Sequence, residues 1–114
     1  MKNIPRVNYF DEIQFDINEK MRQVLIDWLI DVHYKYKMHQ QTLAMAVNII
    51  DRYLSEVAVP RSRLQLVGIT AIFMAAKYEE IYPPDISDYV RVCNETYSAE
   101  EIIDFEGQIL LQLK

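Results

Sequence analysis

Leu64-Gln65-Leu66-Val67-Gly68-Ile69-Thr70-Ala71-Ile72-Phe73-Met74-Ala75-Ala76 runs thirteen residues without a charge, and the chain then turns to Lys77-Tyr78-Glu79-Glu80-Ile81-Tyr82-Pro83-Pro84. The apolar run falls short of the ~20 residues that span a bilayer. Its residues are helix-compatible and apolar side chains fall on every face, the pattern of a helix buried all round. Gly68, Ala71, Ala75 and Ala76 are small enough to let neighbouring helices approach closely. A rigid central helix that ends in a Lys, an aromatic and two Glu carries charged and aromatic groups out of the core to the surface. Such placement suits a docking site better than a flexible tail does.

Helical signals continue on both sides. Asn18 is a helix N-cap with Glu19 in the first turn, opening a helix predicted from about Asn18 to Tyr36. Its apolar stripe is Met21, Val24/Leu25, Trp28/Leu29 and Val32. A second helix is predicted from about Gln41 to Glu56, with Leu43, Ala46/Val47, Ile50 and Tyr53/Leu54 at helical spacing. Pro60 separates it from the central third helix, about Ser62 to Glu80. Pro83-Pro84 end that one, and a short fourth helix follows from Asp85 to Cys93, with Pro84 expected in its first turn. Ser98-Ala99-Glu100-Glu101 is a capping-box pattern that opens a fifth helix carrying Ile102, Phe105, Ile109, Leu110 and Leu113. No β-like alternation competes, so the expectation is all-α, five helices, one compact domain over residues 18–114. Residues 1–17 show little periodicity and Pro5 breaks any early helix. Tyr9, Phe10, Ile13, Phe15 and Ile17 nonetheless predict an extension lying against the body. The last helix is expected to be cut at an element boundary, as in an excerpt of a longer protein.

Composition narrows the function classes. The 114 residues suffice for one core. A net charge of −5 argues against a dedicated nucleic-acid binder, and Arg61-Ser62-Arg63 is the densest basic cluster. One cysteine, Cys93, excludes an internal disulfide and fits a reducing compartment. No signal peptide is visible. His33 and His39 lack a Cys/His/carboxylate set at metal-ligand spacing, so no metal, no cofactor and no membrane partner is expected. No phosphate loop, nucleophile elbow or paired catalytic carboxylates stand out, so no catalytic residue is assigned. Cys93 reads as a small helix-end residue.

Several segments together resemble the cyclin box of mitotic, A/B-type cyclins. They are Met21-Arg22-Gln23-Val24-Leu25-Ile26-Asp27-Trp28-Leu29, Asn48-Ile49-Ile50-Asp51-Arg52-Tyr53-Leu54, Leu64-Gln65-Leu66-Val67-Gly68, Lys77 to Pro84, and Thr96-Tyr97. The resemblance is in register from about Asp16 to the end. It implies five helices around a central third helix, the first of two tandem folds. It also implies a non-catalytic subunit that binds and activates a cyclin-dependent kinase in the nucleus and cytoplasm. The N-terminal helix that precedes the box in mitotic cyclins is expected to be missing or reduced to residues 1–17.

The resemblance also gives roles to residues that are odd on physical grounds. Arg22 and Asp51 sit within apolar helices, where an unpaired charge costs several kcal/mol. The matching cyclin positions pair with each other and tie helix one to helix two. Lys77 and Glu106 match residues that contact the kinase beside its C helix, the plainer reading being an intramolecular salt bridge. Tyr78, Glu79 and Glu80 would extend that surface or be ordinary surface charge. Leu110, one turn beyond Glu106, faces either the kinase or the core. Gly107 in the same helix costs ~1 kcal/mol relative to Ala.

Helix one is more apolar than one buried stripe requires. Leu25, Leu29 and Val32 can serve the core, which leaves Met21, Val24 and Trp28 toward one edge as a sticky groove or as further core. In cyclins the matching groove docks Arg-x-Leu motifs of substrates and inhibitors. Its residues here are Met21, Val24, Leu25, Trp28, Leu64, Gln65 and Val92, with Asp31 supplying a negative charge for the motif's Arg. Two other readings compete: a cyclin-like helical fold acting in transcription, and a metabolic enzyme on a helical scaffold. The acidic balance and the Lys77/Glu106 pair weigh against the first, the absence of a catalytic constellation against the second.

Overall fold

The computed structural model describes residues 10 and 13–113. Among residues 13–113 it has five α-helices, α1 (Glu19–Lys35), α2 (Gln40–Leu54), α3 (Leu64–Glu79), α4 (Ile86–Val92) and α5 (Ala99–Gln112). Helix α3 packs against each of the other four. Eleven of its sixteen residues are buried, as its uninterrupted apolar composition requires. Helix α1 approaches α3 tightly at Gly68, where a Cβ would stand 2.6 Å from Leu25 Cδ1. The missing side chain therefore lets α1 lie directly on α3. No described helix is long and apolar enough to cross a membrane.

Helix ends follow local chemistry. Asn18 Oδ1 accepts the Met21 amide at 2.9 Å, capping α1. Ser98 Oγ accepts the Glu101 amide at 3.1 Å, and Glu101 Oε1 accepts the Ser98 amide at 2.9 Å, completing the capping box of α5. Three boundaries differ from the sequence expectation. The first turn of helix three, Arg61–Arg63, is a 3-10 turn. Helix two ends at Leu54, short of Glu56. Pro84 lies outside helix four, because Asp85 is the extended N-cap residue, its amide bonded to Asp88 Oδ2 at 3.0 Å. Helix α1 stops at a left-handed Lys37 (φ 54°). The Met38 amide there reaches back to His33 O at 3.0 Å while Met38 buries its side chain, the αL ending that favours glycine.

The N-terminal extension is held by polar side chains more than by the aromatics that the sequence offered. The buried Gln14 donates to Leu54 O and Val57 O, each at 2.6 Å, and its Oε1 accepts the Val59 amide at 2.9 Å. Gln14 thus satisfies the backbone where α2 ends. Ile17 joins the core, with Phe10 and Ile13 packed against it. Phe15 corrects the expectation, being 87% exposed, and Tyr9 lies outside the described residues.

The ion pair between the first two helices forms. Arg22 Nε and Nη2 meet Asp51 Oδ1 and Oδ2 at 2.7 and 2.6 Å, a fork-on-fork geometry in which both side chains are largely covered. Cys93 is buried and donates to Tyr89 O at 3.0 Å. Burial pushes its thiol up to about 11, which leaves it protonated and inert as a nucleophile.

Candidate interaction sites

One face of α1 and the start of α3 enclose a concavity of about 680 Å³. Met21, Val24, Leu25 and Trp28 come from α1, and Leu64 and Gln65 from α3. Leu25 and Leu64 are buried and form the floor, whereas Val24 is 63% exposed and Met21 and Trp28 are partly covered. Helical periodicity explains the split: Leu25, Leu29 and Val32 turn to α3, so Met21, Val24 and Trp28 fall on the neighbouring edge. Six of the eight predicted groove residues are thereby brought together. Asp31 and Val92 are not among them. They line a smaller adjoining concavity of about 220 Å³ with Lys35, Arg91 and Asn94, and Trp28 forms the wall between the two. The Asp31 carboxylate accordingly stands in a mixed field, with Lys35 one turn further along α1 and Arg91 across the concavity.

The far end of α3 carries a second constellation. Lys77 Nζ donates to Glu106 Oε2 of α5 at 2.7 Å and lies 4.2 Å from the centre of the Phe73 ring. The pair is solvated on the lysine side and mostly covered on the glutamate side. Tyr78 is 78% exposed, and Leu110 is exposed beside a concavity shared with Ile49, Met74 and Leu113. Leu110 is thus surface, which resolves the alternative between surface and core. Twelve residues of helix separate Gln65 from Lys77, about 18 Å at 1.5 Å per residue, so the two sites are distinct.

Residues 1–114 match the family described as the N-terminal domain of cyclins. The chain belongs to the cyclin family. This cyclin domain is 50% identical over 107 residues to the G2/mitotic-specific cyclin S13-7 of Glycine max, covering 94% of this chain and 41% of that protein. Against the G2/mitotic-specific cyclin-B of Dictyostelium discoideum it is 50% identical over 101 residues, covering 89% of this chain and 23% of that protein. Against the putative cyclin-A3-1 of Arabidopsis thaliana it is 45% identical over 114 residues, 32% of that protein. The chain therefore spans less than half the length of these relatives. The fold is similar to the X-ray structure of a viral cyclin from herpesvirus saimiri. The TM-score is 0.82 at 24% identity, covering 90% of this chain and 44% of that one.

Within this cyclin domain one predicted site residue has a different role. Glu80 is expected, with Tyr78 and Glu79, to extend the Lys77 surface or to be ordinary surface charge, yet its side chain is only 10% exposed. Its Oε2 accepts the His39 amide at 2.7 Å and the Thr42 hydroxyl at 2.5 Å, and Oε1 lies 3.1 Å from His39 Nδ1. Helix α2 has no side-chain cap of its own at His39, and Glu80 supplies one from 38 to 41 residues away. Burial alone would raise the Glu80 carboxyl, but the Thr42 hydrogen bond and the His39 contacts outweigh it and hold it below the usual range. The chain leaves the helix at Glu80 in an extended conformation, with the Glu80 side chain turned inward and Tyr78 outside.

Three polar residues of the groove were not anticipated. Asn18, Lys20 and Arg61 form one end of its lining. Lys20 precedes Val24 and Trp28 by four and eight residues, so helical spacing places it on that face. Arg61 reaches the groove only through the turn before α3, where Asp16 accepts its Nε at 3.0 Å and its amide at 2.8 Å. That turn is fastened by Tyr97, whose hydroxyl donates to Ser62 O at 2.9 Å.

Proposed function

We propose that this chain is the first cyclin fold of a mitotic-type cyclin, a regulatory subunit that binds and activates a cyclin-dependent Ser/Thr kinase without doing chemistry itself. The observation that carries the reading is the Lys77–Glu106 pair at the solvent end of a rigid core helix, in a chain whose relatives are mitotic cyclins. Among the described residues Glu106 takes one of the three ammonium donors of Lys77. The others, with the free oxygen of Glu106, are pre-set to bind backbone groups of a partner helix. Tyr78, Glu79 and Leu110 extend the surface. Residues 18–114 would form the cyclin box and residues 1–17 an extension, in a protein of nucleus and cytoplasm.

The Met21–Val24–Trp28 groove is read as a separate docking site for Arg-x-Leu motifs of substrates or inhibitors, with Asp31 facing the motif's Arg from the adjoining concavity. The test is reconstitution of the domain with a cyclin-dependent kinase, measuring complex formation and phosphorylation of a peptide with and without an Arg-x-Leu motif. Binding with raised activity supports the reading. A folded domain that captures no cyclin-dependent kinase overturns it.

A further inference from the structure

The groove carries a charge bias that the fold as a whole does not share. The chain holds seventeen acidic and twelve basic residues, yet among the described residues no carboxylate lines this concavity, and Lys20 and Arg61 do. The two cations are not equivalent. Arg61 is already bonded to Asp16 through its side chain and its amide, and those bonds hold the Asp16 carboxyl below its usual range. Lys20 is exposed and has no ion-pair partner among the described residues. Among the described residues the groove cation without an ion-pair partner is therefore Lys20.

We infer that the groove prefers an apolar peptide segment of a partner protein that carries an acidic residue three or four positions from its apolar anchor. The inference rests on the docking reading of the groove and names the class of segment it selects. The spacing follows from α1 itself. Lys20 and Trp28 are eight residues apart, about 12 Å along the helix, which an extended peptide covers in about three to four residues at ~3.3 Å each. An apolar side chain seated between Trp28, Leu25 and Leu64 thus places a carboxylate of that offset beside the Lys20 ammonium. At the opposite end the adjoining concavity is lined by charges of both signs, Asp31 with Lys35 and with an Arg91 already paired to Asp88.

The experiment is a fluorescence-polarisation titration of the folded domain with labelled Arg-x-Leu peptides in which one Glu, or Gln as its neutral match, is moved from one to seven positions from the Leu. The readout is the ratio of affinities, Glu peptide over Gln peptide. Exposed ion pairs contribute modestly, so a ratio of about two to five is expected at positions three or four and near one elsewhere. Raising the salt should flatten it. Lys20→Ala should pull the ratio toward one, Lys20→Glu should invert it, and Lys20→Arg should keep it. A ratio of one at every position, or a ratio that Lys20→Glu leaves intact, overturns the inference while the docking reading stands. Failure of every Gln peptide to bind the parent domain removes the docking reading, and this inference with it.

Discussion

Breaking the Arg22–Asp51 pair tests how α1 is tied to α2. Asp51→Ala removes both acceptors of a bidentate bond, at 2.7 and 2.6 Å. Loss of a partner from a fully buried pair costs about 3–5 kcal/mol, and an exposed pair is worth about 0.2–1 kcal/mol. Here the side chains are 25% and 15% exposed, so the guanidinium can recover part of its hydration. A loss of about 2–3 kcal/mol follows. A chain of this size has roughly 6–17 kcal/mol in total at 0.05–0.15 per residue, so the variant should still fold. At about 4–8 °C per kcal/mol for a small domain, its Tm should fall by roughly 8–24 °C. The assay is urea and thermal unfolding followed by circular dichroism for the parent, Arg22→Ala, Asp51→Ala and the double variant. The double variant should lose less than the sum of the singles, giving a coupling above about 1 kcal/mol. A coupling below about 0.5 kcal/mol would show that the pair is solvated in practice and that apolar packing alone joins the helices.

Three further outcomes are expected. Lys77→Ala and Glu106→Ala should each cost under about 1 kcal/mol of stability, since the pair is exposed on one side, yet reduce kinase binding tenfold or more if charge-assisted bonds of ~1.5–3 kcal/mol are lost. Unchanged kinase affinity in a native-like variant removes the pair from the interface. The two glycines should respond oppositely to alanine in urea titrations. Gly107→Ala meets nothing within 4 Å and should gain about 1 kcal/mol, whereas Gly68→Ala collides with Leu25 and should lose about 1 kcal/mol net of its helical gain. Equal responses would mean that α1 does not press on α3. The Glu80 cap should make stability pH-dependent. Its carboxyl is depressed in the folded state relative to the usual 4.5. Its contribution is therefore full above that value and lost as pH falls through the lower folded one. Glu80→Gln should remove this acid-side loss, and parallel pH profiles for parent and variant would refute the cap.

The sequence by itself determined the all-α pattern, the buried central helix, the caps at Asn18 and Ser98, and the face of α1 that Met21, Val24 and Trp28 occupy. These are local properties, set by apolar spacing and by side chains that bond backbone a few residues away. Spacing also put Arg22 and Asp51 within apolar helices, where each needs a partner, and the resemblance to cyclins named each as the other's. What tertiary structure alone decided lies between segments far apart in the chain. Gln14 seals the end of α2, Glu80 turns inward to cap its start, and Trp28 divides the exposed apolar face of α1 so that Asp31 and Val92 stand in a second concavity. In each case the sequence shows a polar or aromatic residue that could equally face water. The choice depends on which unsatisfied amide, carbonyl or apolar wall the fold brings within about 3 Å, and periodicity along one helix carries no information about that.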